Sequence, residues 1–416
     1  MDITIKTRNL KPLGGLASGS VGKKLPKLHE ELFALECAEG MGFVKYPDVV
    51  EKAEFARIKK ASKDILEHSK VLLVIGTEDI LCSIKGALSV AKRDLKITIM
   101  TLADFDSAEK IDATIKYLSG KDYSVFVASK YTENVGISYL FALFENLLKK
   151  KYKKNNDYKK HIFIATDYST GELREIASSE GYENFVFPRT LTERFGGLSP
   201  AILFPAMVAG LNIEKIIAGA KKMETELASM PIAENLAYNL AKMLYVYCGG
   251  RAKEQLVAVN TKRLNALQNV YINMFDGVLA EAKKAPESKK LSKFCLKEAF
   301  IQKGSKCKNS AFVVNFELKG ENFDAKPEGL DETRISSKFA EMTLGEFESK
   351  VGEVASGMFK TDILPQITVE IEDLNEEFYG EFVYLLQISL YVLAKLFGVN
   401  PFCAQKEESF NKLLMS

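Results

Sequence analysis

Short apolar runs alternate with amphipathic stretches along most of the chain. Residues 71–75 form an apolar run rich in β-branched residues, which is typical of a strand buried on both faces of a parallel sheet. Beyond Gly76, apolar residues recur at helical spacing from Ile80 to Ala91. Units of the same kind follow, and this alternation predicts an α/β fold with a doubly wound, parallel-rich sheet. The predicted strands are 71–75, 97–101, 124–128, 162–165, 185–187, 311–318 and 366–370.

Helices are predicted where apolar positions repeat with the period of an amphipathic helix. Glycines cluster between residues 14 and 22, so residues 1–50 are interpreted as an arm. A second block of elements begins near Gly196. The predicted helices are 27–38, 51–68, 80–92, 107–119, 136–150, 172–180, 200–210, 213–229, 231–247, 264–285, 343–358 and 377–397.

The composition is that of an ordinary soluble globular protein. Of 416 residues, 47% are hydrophobic and 27% are charged, and the net charge is +2, which gives no general argument for binding nucleic acid or a membrane. The basic run at 149–160 is interpreted as a solvated helix end and loop. The N-terminal residues show no apolar h-region and no cleavage site, so no secretory leader is expected. No apolar stretch of 18 residues occurs, so no membrane span is expected.

Cysteine and histidine usage limits the chemistry that the chain is expected to perform. None of the six cysteines forms a CxxC pair, so no zinc site is expected, nor any other metal or cofactor. Their scatter is typical of reduced thiols in a cytoplasmic protein. The three histidines, His29, His68 and His161, restrict any mechanism that depends on histidine.

The turn after the first predicted strand carries carboxylates. Gly76 is followed by Thr77, Glu78 and Asp79, at the carboxyl end of a strand, where ligands bind in open α/β sheets. A turn built for phosphate would be rich in glycine, because bare N–H groups then reach the anion. Thr77 or Asp79 is expected to cap the following helix. Glu78 and Asp79 would repel a phosphate.

Five stretches, in order, resemble glucose-6-phosphate isomerases of the bacterial type. The resemblance spans residues 43–402 and implies two sugar-isomerase (SIS) domains, each an αβα sandwich with a parallel-rich sheet. It also implies a homodimer whose active sites include residues of both subunits. The stretches are 54–76, 118–130, 176–188, 195–210 and 397–402, and the expected divisions are an arm at 1–50, domains at 51–195 and 196–400, and a tail at 401–416.

The resemblance implies an aldose–ketose isomerisation of a sugar phosphate in glycolysis and gluconeogenesis. In that chemistry a glutamate moves a proton between C2 and C1 through an enediolate. An arginine stabilises the developing oxyanion, and a loop rich in serine and threonine holds the phosphate. A histidine and a lysine assist ring opening.

The loops that would hold the phosphate depart from the family pattern. The first glycine loop keeps Gly76 but continues with Thr77, Glu78 and Asp79, and Glu133 enters the hydroxyl-rich loop. The family's arginine is missing from the stretch at 196–200, and Arg194, just upstream, is a poorly placed substitute. The positions that the resemblance assigns to substrate or phosphate binding are Gly76, Ser129, Lys130, Thr132, Asn134, Gly196 and Gly197.

Two residues lie at or next to catalytic positions of the family. Glu281 is the candidate base, through a match at 279–283 that needs a two-residue gap, and an exposed helical glutamate is the alternative interpretation. Lys412 is the candidate lysine, one position beyond the matching Asn411, and a solvated terminal lysine is the alternative. Cys295 and Phe359 stand where the family has histidines.

Three hypotheses follow. The favoured one is a weakly active or inactive homologue, a pseudoenzyme that acts as a binding, regulatory or structural dimer, because losing even one oxyanion donor typically costs about 3–4 kcal/mol. The second is a functional isomerase that uses Glu281 as its base. The third is a binder or isomerase of a different, non-phosphorylated or cationic sugar. A sugar phosphate or related small molecule is the expected partner, with no nucleic acid and no membrane.

Overall fold

The computed structural model describes most of the chain. The described residues are 3–8, 20–33, 40–49, 52–130, 134–153, 156–249, 252–283, 285–291, 311–319, 326, 339, 341–347, 350, 351, 354, 365–402 and 413–414.

The first of two sheets is parallel throughout. Its five strands are arranged in the order β3-β2-β4-β5-β6. The central β2 and β4 are buried along their whole length, as expected of uninterrupted apolar runs in a parallel sheet. The strands are β2 (Val71–Gly76), β3 (Thr98–Ala103), β4 (Tyr123–Ala128), β5 (Ile162–Asp167) and β6 (Glu183–Phe187).

The second sheet is parallel except at one edge. Its order is β1-β10-β9-β7-β8, and only β1 runs antiparallel to its neighbour, β10. The predicted α/β fold with parallel-rich sheets is therefore confirmed. The strands are β1 (Ile3–Arg8), β7 (Glu254–Val259), β8 (Glu287–Leu291), β9 (Ala311–Leu318) and β10 (Gln366–Ile371).

Helices connect the strands and cover both sheets. They are α1 (Ser20–Phe33), α2 (Tyr46–Val49), α3 (Lys52–His68), α4 (Glu78–Leu88), α5 (Ala108–Leu118), α6 (Val135–Lys151), α7 (Glu172–Glu180), α8 (Pro200–Ala209), α9 (Ile213–Ser229), α10 (Leu236–Gly249), α11 (Asn265–Val278) and α12 (Glu376–Phe397). Short 3₁₀ turns lie at Gly42–Val44, Asp157–His161 and Lys262–Leu264.

Several predicted boundaries differ from the observed ones. The helix predicted at 231–247 begins at Leu236, because the Asn235 side chain accepts the Tyr238 N–H and starts α10 there. The helix predicted at 264–285 ends at Val278, and a turn leads from it into β8. The predicted arm contributes β1 and α1. The domain boundaries themselves stay predictions, and the helix predicted at 343–358 lies partly outside the described residues.

The two halves of the molecule meet through closely packed helices. Gly86 of α4 lies so close to Val270 of α11 that an added Cβ would be 2.6 Å from its Cγ2. The Tyr379 hydroxyl on α12 donates to the Ser83 carbonyl on α4 at 2.9 Å. Helix α4, which begins at the end of β2, is therefore held against the second half of the chain.

Helix α12 forms the centre of the second half. Among the described helices, it alone has the length and apolar composition needed to cross a membrane, and 89% of its apolar window is buried inside the protein. Its Gly380 packs directly on the backbone of Ile216 in α9, and Gly219 of α9 packs on the backbone of Glu377. These two contacts allow the helices to approach more closely than any larger side chain would permit.

Candidate functional site

The ends of β2 and β4 place two hydroxyl side chains next to each other. Gly76 pairs with Ala128 in the parallel register, so the residues that follow, Thr77 and Ser129, lie side by side at the carboxyl edge of the sheet. Both are buried, at 3% and 0% exposure. This is the edge at which open α/β sheets bind their ligands.

A carboxylate of the chain itself lies against these hydroxyls. Glu193 is 3% exposed, and its Oε2 accepts a hydrogen bond from the Thr77 hydroxyl at 2.6 Å. Its Oε1 accepts from the Lys130 backbone N–H at 2.6 Å and from the Ser129 hydroxyl at 3.3 Å. We call Thr77, Ser129, Lys130 and Glu193 the strand-end cluster.

The loop at 188–199 carries Glu193 and is fixed over the strand ends. The Lys130 ammonium donates to the carbonyls of Arg189, at 2.8 Å, and Leu191. Gly196 donates its N–H to the Glu193 carbonyl at 3.0 Å. An added Cβ at Gly196 would be 2.5 Å from the Phe187 ring. The loop is therefore held both by hydrogen bonds and by close packing.

Gly197, another residue assigned to substrate binding, packs against α12. An added Cβ would be 2.7 Å from Cγ1 of Val383. On the same helix, the Gln387 amide donates to the Phe195 carbonyl at 2.8 Å. Because Gly196 and Gly197 have no side chains, the loop packs directly against Phe187 and against α12.

Thr77 does not cap α4 with its side chain. It is the N-cap residue, with extended backbone angles, but its side chain makes no cap bond. The predicted cap is wrong because the Thr77 hydroxyl donates to Glu193 instead.

Arg194 lies at the edge of the strand-end cluster, between α4 and α11. Its Nη2 is 3.4 Å from Oδ2 of Asp79, and the two side chains are 20% and 18% exposed. Burial raises the pKa of Asp79, and Arg194 and a hydrogen bond from Asn273 oppose that shift. An added Cβ at Gly277 would overlap the Arg194 guanidinium. The arginine therefore pairs with an acid on one side and faces a glycine on the other.

Several proteins of similar sequence or structure are named glucose-6-phosphate isomerases. No family model matches the chain. The glucose-6-phosphate isomerase of Staphylococcus epidermidis is 28% identical over 381 residues, which cover 89% of this chain and 85% of that protein. The crystal structure of a glucose-6-phosphate isomerase from Chlamydia trachomatis superposes with a TM-score of 0.77 at 14% identity, covering 100% of this chain and 88% of that one.

Over most of its length the chain is similar to the glucose-6-phosphate isomerase family. A hypothetical protein from Thermus thermophilus has the same fold, with a TM-score of 0.89, 19% identity and 99% coverage of both chains. The two mostly parallel sheets are those of the sugar-isomerase fold.

Asn134, a candidate phosphate ligand of this family, has both polar ends engaged. Its side-chain oxygen accepts the Ile137 N–H at 3.0 Å and so caps α6. Its amide donates to Oδ2 of Asp104 at 2.9 Å. Burial raises the pKa of Asp104, and the bond from Asn134 opposes that shift. Thr132 lies outside the described residues, as does Lys412.

Glu281, the candidate base of an isomerase, is exposed in the turn between α11 and β8. In the described part of the chain, no hydrogen bond or ion pair joins it to the strand-end cluster. Glu281 lies four residues after Gly277, the residue that faces Arg194. The structure therefore brings together Gly76, Ser129, Lys130 and the glycine pair, but not Glu281.

The histidines lie away from the strand-end cluster. His161 precedes β5, at the opposite edge of the sheet, where its ring stacks on Tyr152 at 4.0 Å and its pKa is lowered by burial. His68 meets the His161 ring edge-on. His29 shares a hydrogen bond of 2.7 Å with the Tyr238 hydroxyl.

Sequence reasoning missed Glu193. Its signal is a carboxylate directly before Arg194, in a loop that the family resemblance already places near the ligand. Because the family pattern is matched from Gly196 onward, the two charged residues before it stand outside the predicted site.

Proposed function

We propose that this protein is a weakly active or inactive member of the glucose-6-phosphate isomerase family. The observation that carries the proposal is the environment of Arg194, which pairs with Asp79 and faces Gly277. An isomerisation through an enediolate needs a cation to stabilise the oxyanion and a base to move the proton. At this site the cation already has a carboxylate partner.

Two carboxylates close to Arg194 are already engaged within the chain. Glu193 is buried and accepts three hydrogen bonds, and Asp79 is bonded to Arg194 and Asn273. Glu281 is exposed in a turn. A general base must reach the proton that it removes, directly or through one water, and the hydrogen bonds and ion pair of Glu193 and Asp79 hold both carboxylates within the chain.

A functional isomerase is the second candidate. Its support is the similarity to relatives named glucose-6-phosphate isomerase, which covers 89% of the chain. In that case Glu281 acts as the base after the turn that carries it moves toward the sugar. The third hypothesis, a cationic or non-phosphorylated sugar, has less support because Glu193 and Asp79 are bonded within the chain. A homodimer in the cytoplasm remains part of the proposal.

The test is an isomerase assay on protein made in a host without its own glucose-6-phosphate isomerase. Fructose 6-phosphate is supplied, and glucose 6-phosphate is detected by a coupled dehydrogenase. We expect turnover close to the blank from both the wild type and Glu281→Gln. Rapid turnover that Glu281→Gln abolishes would support the functional isomerase, and rapid turnover that survives the change would also overturn the proposal.

A further inference from the structure

We propose that Glu193 is a ligand built into the chain, which occupies the anion cradle at the ends of β2 and β4 and excludes external oxyanions. Glu193 is thus the residue that determines what the site binds. This extends the proposed function, on which it rests, from catalysis to binding.

The donors converge on one carboxylate from two separate strand ends. Thr77 follows β2, and Ser129 and Lys130 follow β4. Between them they direct two hydroxyls and a backbone N–H to the two oxygens of Glu193, at 2.6, 3.3 and 2.6 Å. Hydrogen bonds to an ionised acceptor are about twice as strong as bonds between neutral groups.

The chemistry of the cradle suits a tetrahedral oxyanion. Hydroxyls, a backbone N–H and the start of the 11-residue helix α4 form its wall, and such groups bind phosphate or sulfate oxygens in α/β proteins. A phosphate monoester or inorganic phosphate is the class of ligand that these donors would accept. The same donors now satisfy Glu193.

An external oxyanion cannot share this cradle with Glu193. The carboxylate is 3% exposed, so it must leave before another anion reaches the donors. A tethered group competes at an effective concentration in the millimolar range or above. The Lys130 ammonium strengthens the tether because it binds two carbonyls of the loop that carries Glu193.

The test compares phosphate binding by the wild type, Glu193→Ala and Glu193→Gln. Glutamine keeps the size of the side chain and an oxygen that accepts from Lys130, so it fills the cradle without the charge. Alanine empties it. Each protein is unfolded thermally in sodium phosphate and in sodium chloride of equal ionic strength, and phosphate binding is measured by calorimetry.

We expect only Glu193→Ala to bind phosphate saturably, with a rise in Tm of about 1–2 °C at ten times the dissociation constant. Equal shifts in all three proteins would overturn the inference, since phosphate then stabilises them without entering the cradle. Saturable binding by the wild type would also overturn it, and so would failure of Glu193→Ala to fold in phosphate. The isomerase assay on the wild type tests the proposed function separately.

Discussion

The Thr77 hydroxyl donates a hydrogen bond of 2.6 Å to the carboxylate of Glu193, which lies 116 positions later in the chain. Both residues are 3% exposed. The bond ties the end of the central strand β2 to the loop that follows β6. It fixes the position of the carboxylate in the strand-end cluster.

Thr77→Val removes this donor while keeping the shape of the side chain. We expect the free energy of unfolding to fall by about 1–3 kcal/mol, because a buried carboxylate loses a partner. Urea unfolding followed by circular dichroism measures the change. Thr225→Val on the exposed face of α9 is the matched control. Equal effects at both positions would contradict the role given to Thr77.

Arg194→Met leaves Asp79 without its ion-pair partner. We expect Arg194→Met to destabilise the protein more than the double variant Asp79→Asn/Arg194→Met does, because an unpaired buried carboxylate is unfavourable. A double-mutant cycle by urea unfolding should give a coupling energy of about 0.5–3 kcal/mol. Additive effects would mean that the two side chains do not interact.

Stability should depend on pH through Asp79. Burial raises its pKa in the folded protein above the ordinary 3.8, so the folded state holds a proton that the unfolded chain releases. Its contribution to stability is therefore present at low pH and is lost as the pH rises from 3.8 through the folded pKa. Unfolding in urea across this range should show the wild type losing stability relative to Asp79→Asn. A gain would contradict the direction of the shift.

Gly277→Ala places a methyl group against the Arg194 guanidinium. Alanine favours a helix by about 1 kcal/mol over glycine, yet we expect a net loss of about 1–3 kcal/mol because the guanidinium must move. Adding Arg194→Ala should remove the conflict and restore the helical gain. If Gly277→Ala alone stabilises the protein against urea, Arg194 is not packed on position 277.

Gly380→Ala is expected to separate α9 from α12. The added Cβ would overlap the Ile216 carbonyl, and backbone atoms cannot move aside as a flexible side chain can. We expect a loss of about 3 kcal/mol or more in urea unfolding. Ser229→Ala at the exposed end of α9 is the control and should change stability by less than about 0.5 kcal/mol. An unchanged midpoint for Gly380→Ala would contradict the close contact.

The parallel strands can be predicted from sequence because a strand that is buried on both faces is a continuous apolar run. Strand β9 (Ala311–Leu318) is predicted with its observed bounds. Strand β8, with the sequence ESKKL, is absent from the predicted strands, because its polar residues lack the apolar run of a buried strand. It forms only by pairing with β7 at the edge of the sheet. The order of apolar and polar residues within β8 does not predict this pairing.

The candidate site is only partly predictable. The positions of Gly76 and Ser129 at adjacent strand ends follow from the order of parallel strands. The identity of the group that they bind does not, because Glu193 reaches them from a loop whose path depends on Lys130 and on the packing of Gly196. The sequence predicts charge repulsion from Glu78 and Asp79, but the carboxylate that occupies the site comes from elsewhere.

The pairing of β1 with β10 has a consequence for synthesis. Arg8 pairs with Gln366, so β1 waits for a partner strand while the ribosome synthesises the long stretch of chain between them. At about 5–20 residues per second, that wait is on the order of tens of seconds. An unpaired strand is a template for association with other chains during that time. The second sheet can therefore be completed only after β10 has been synthesised.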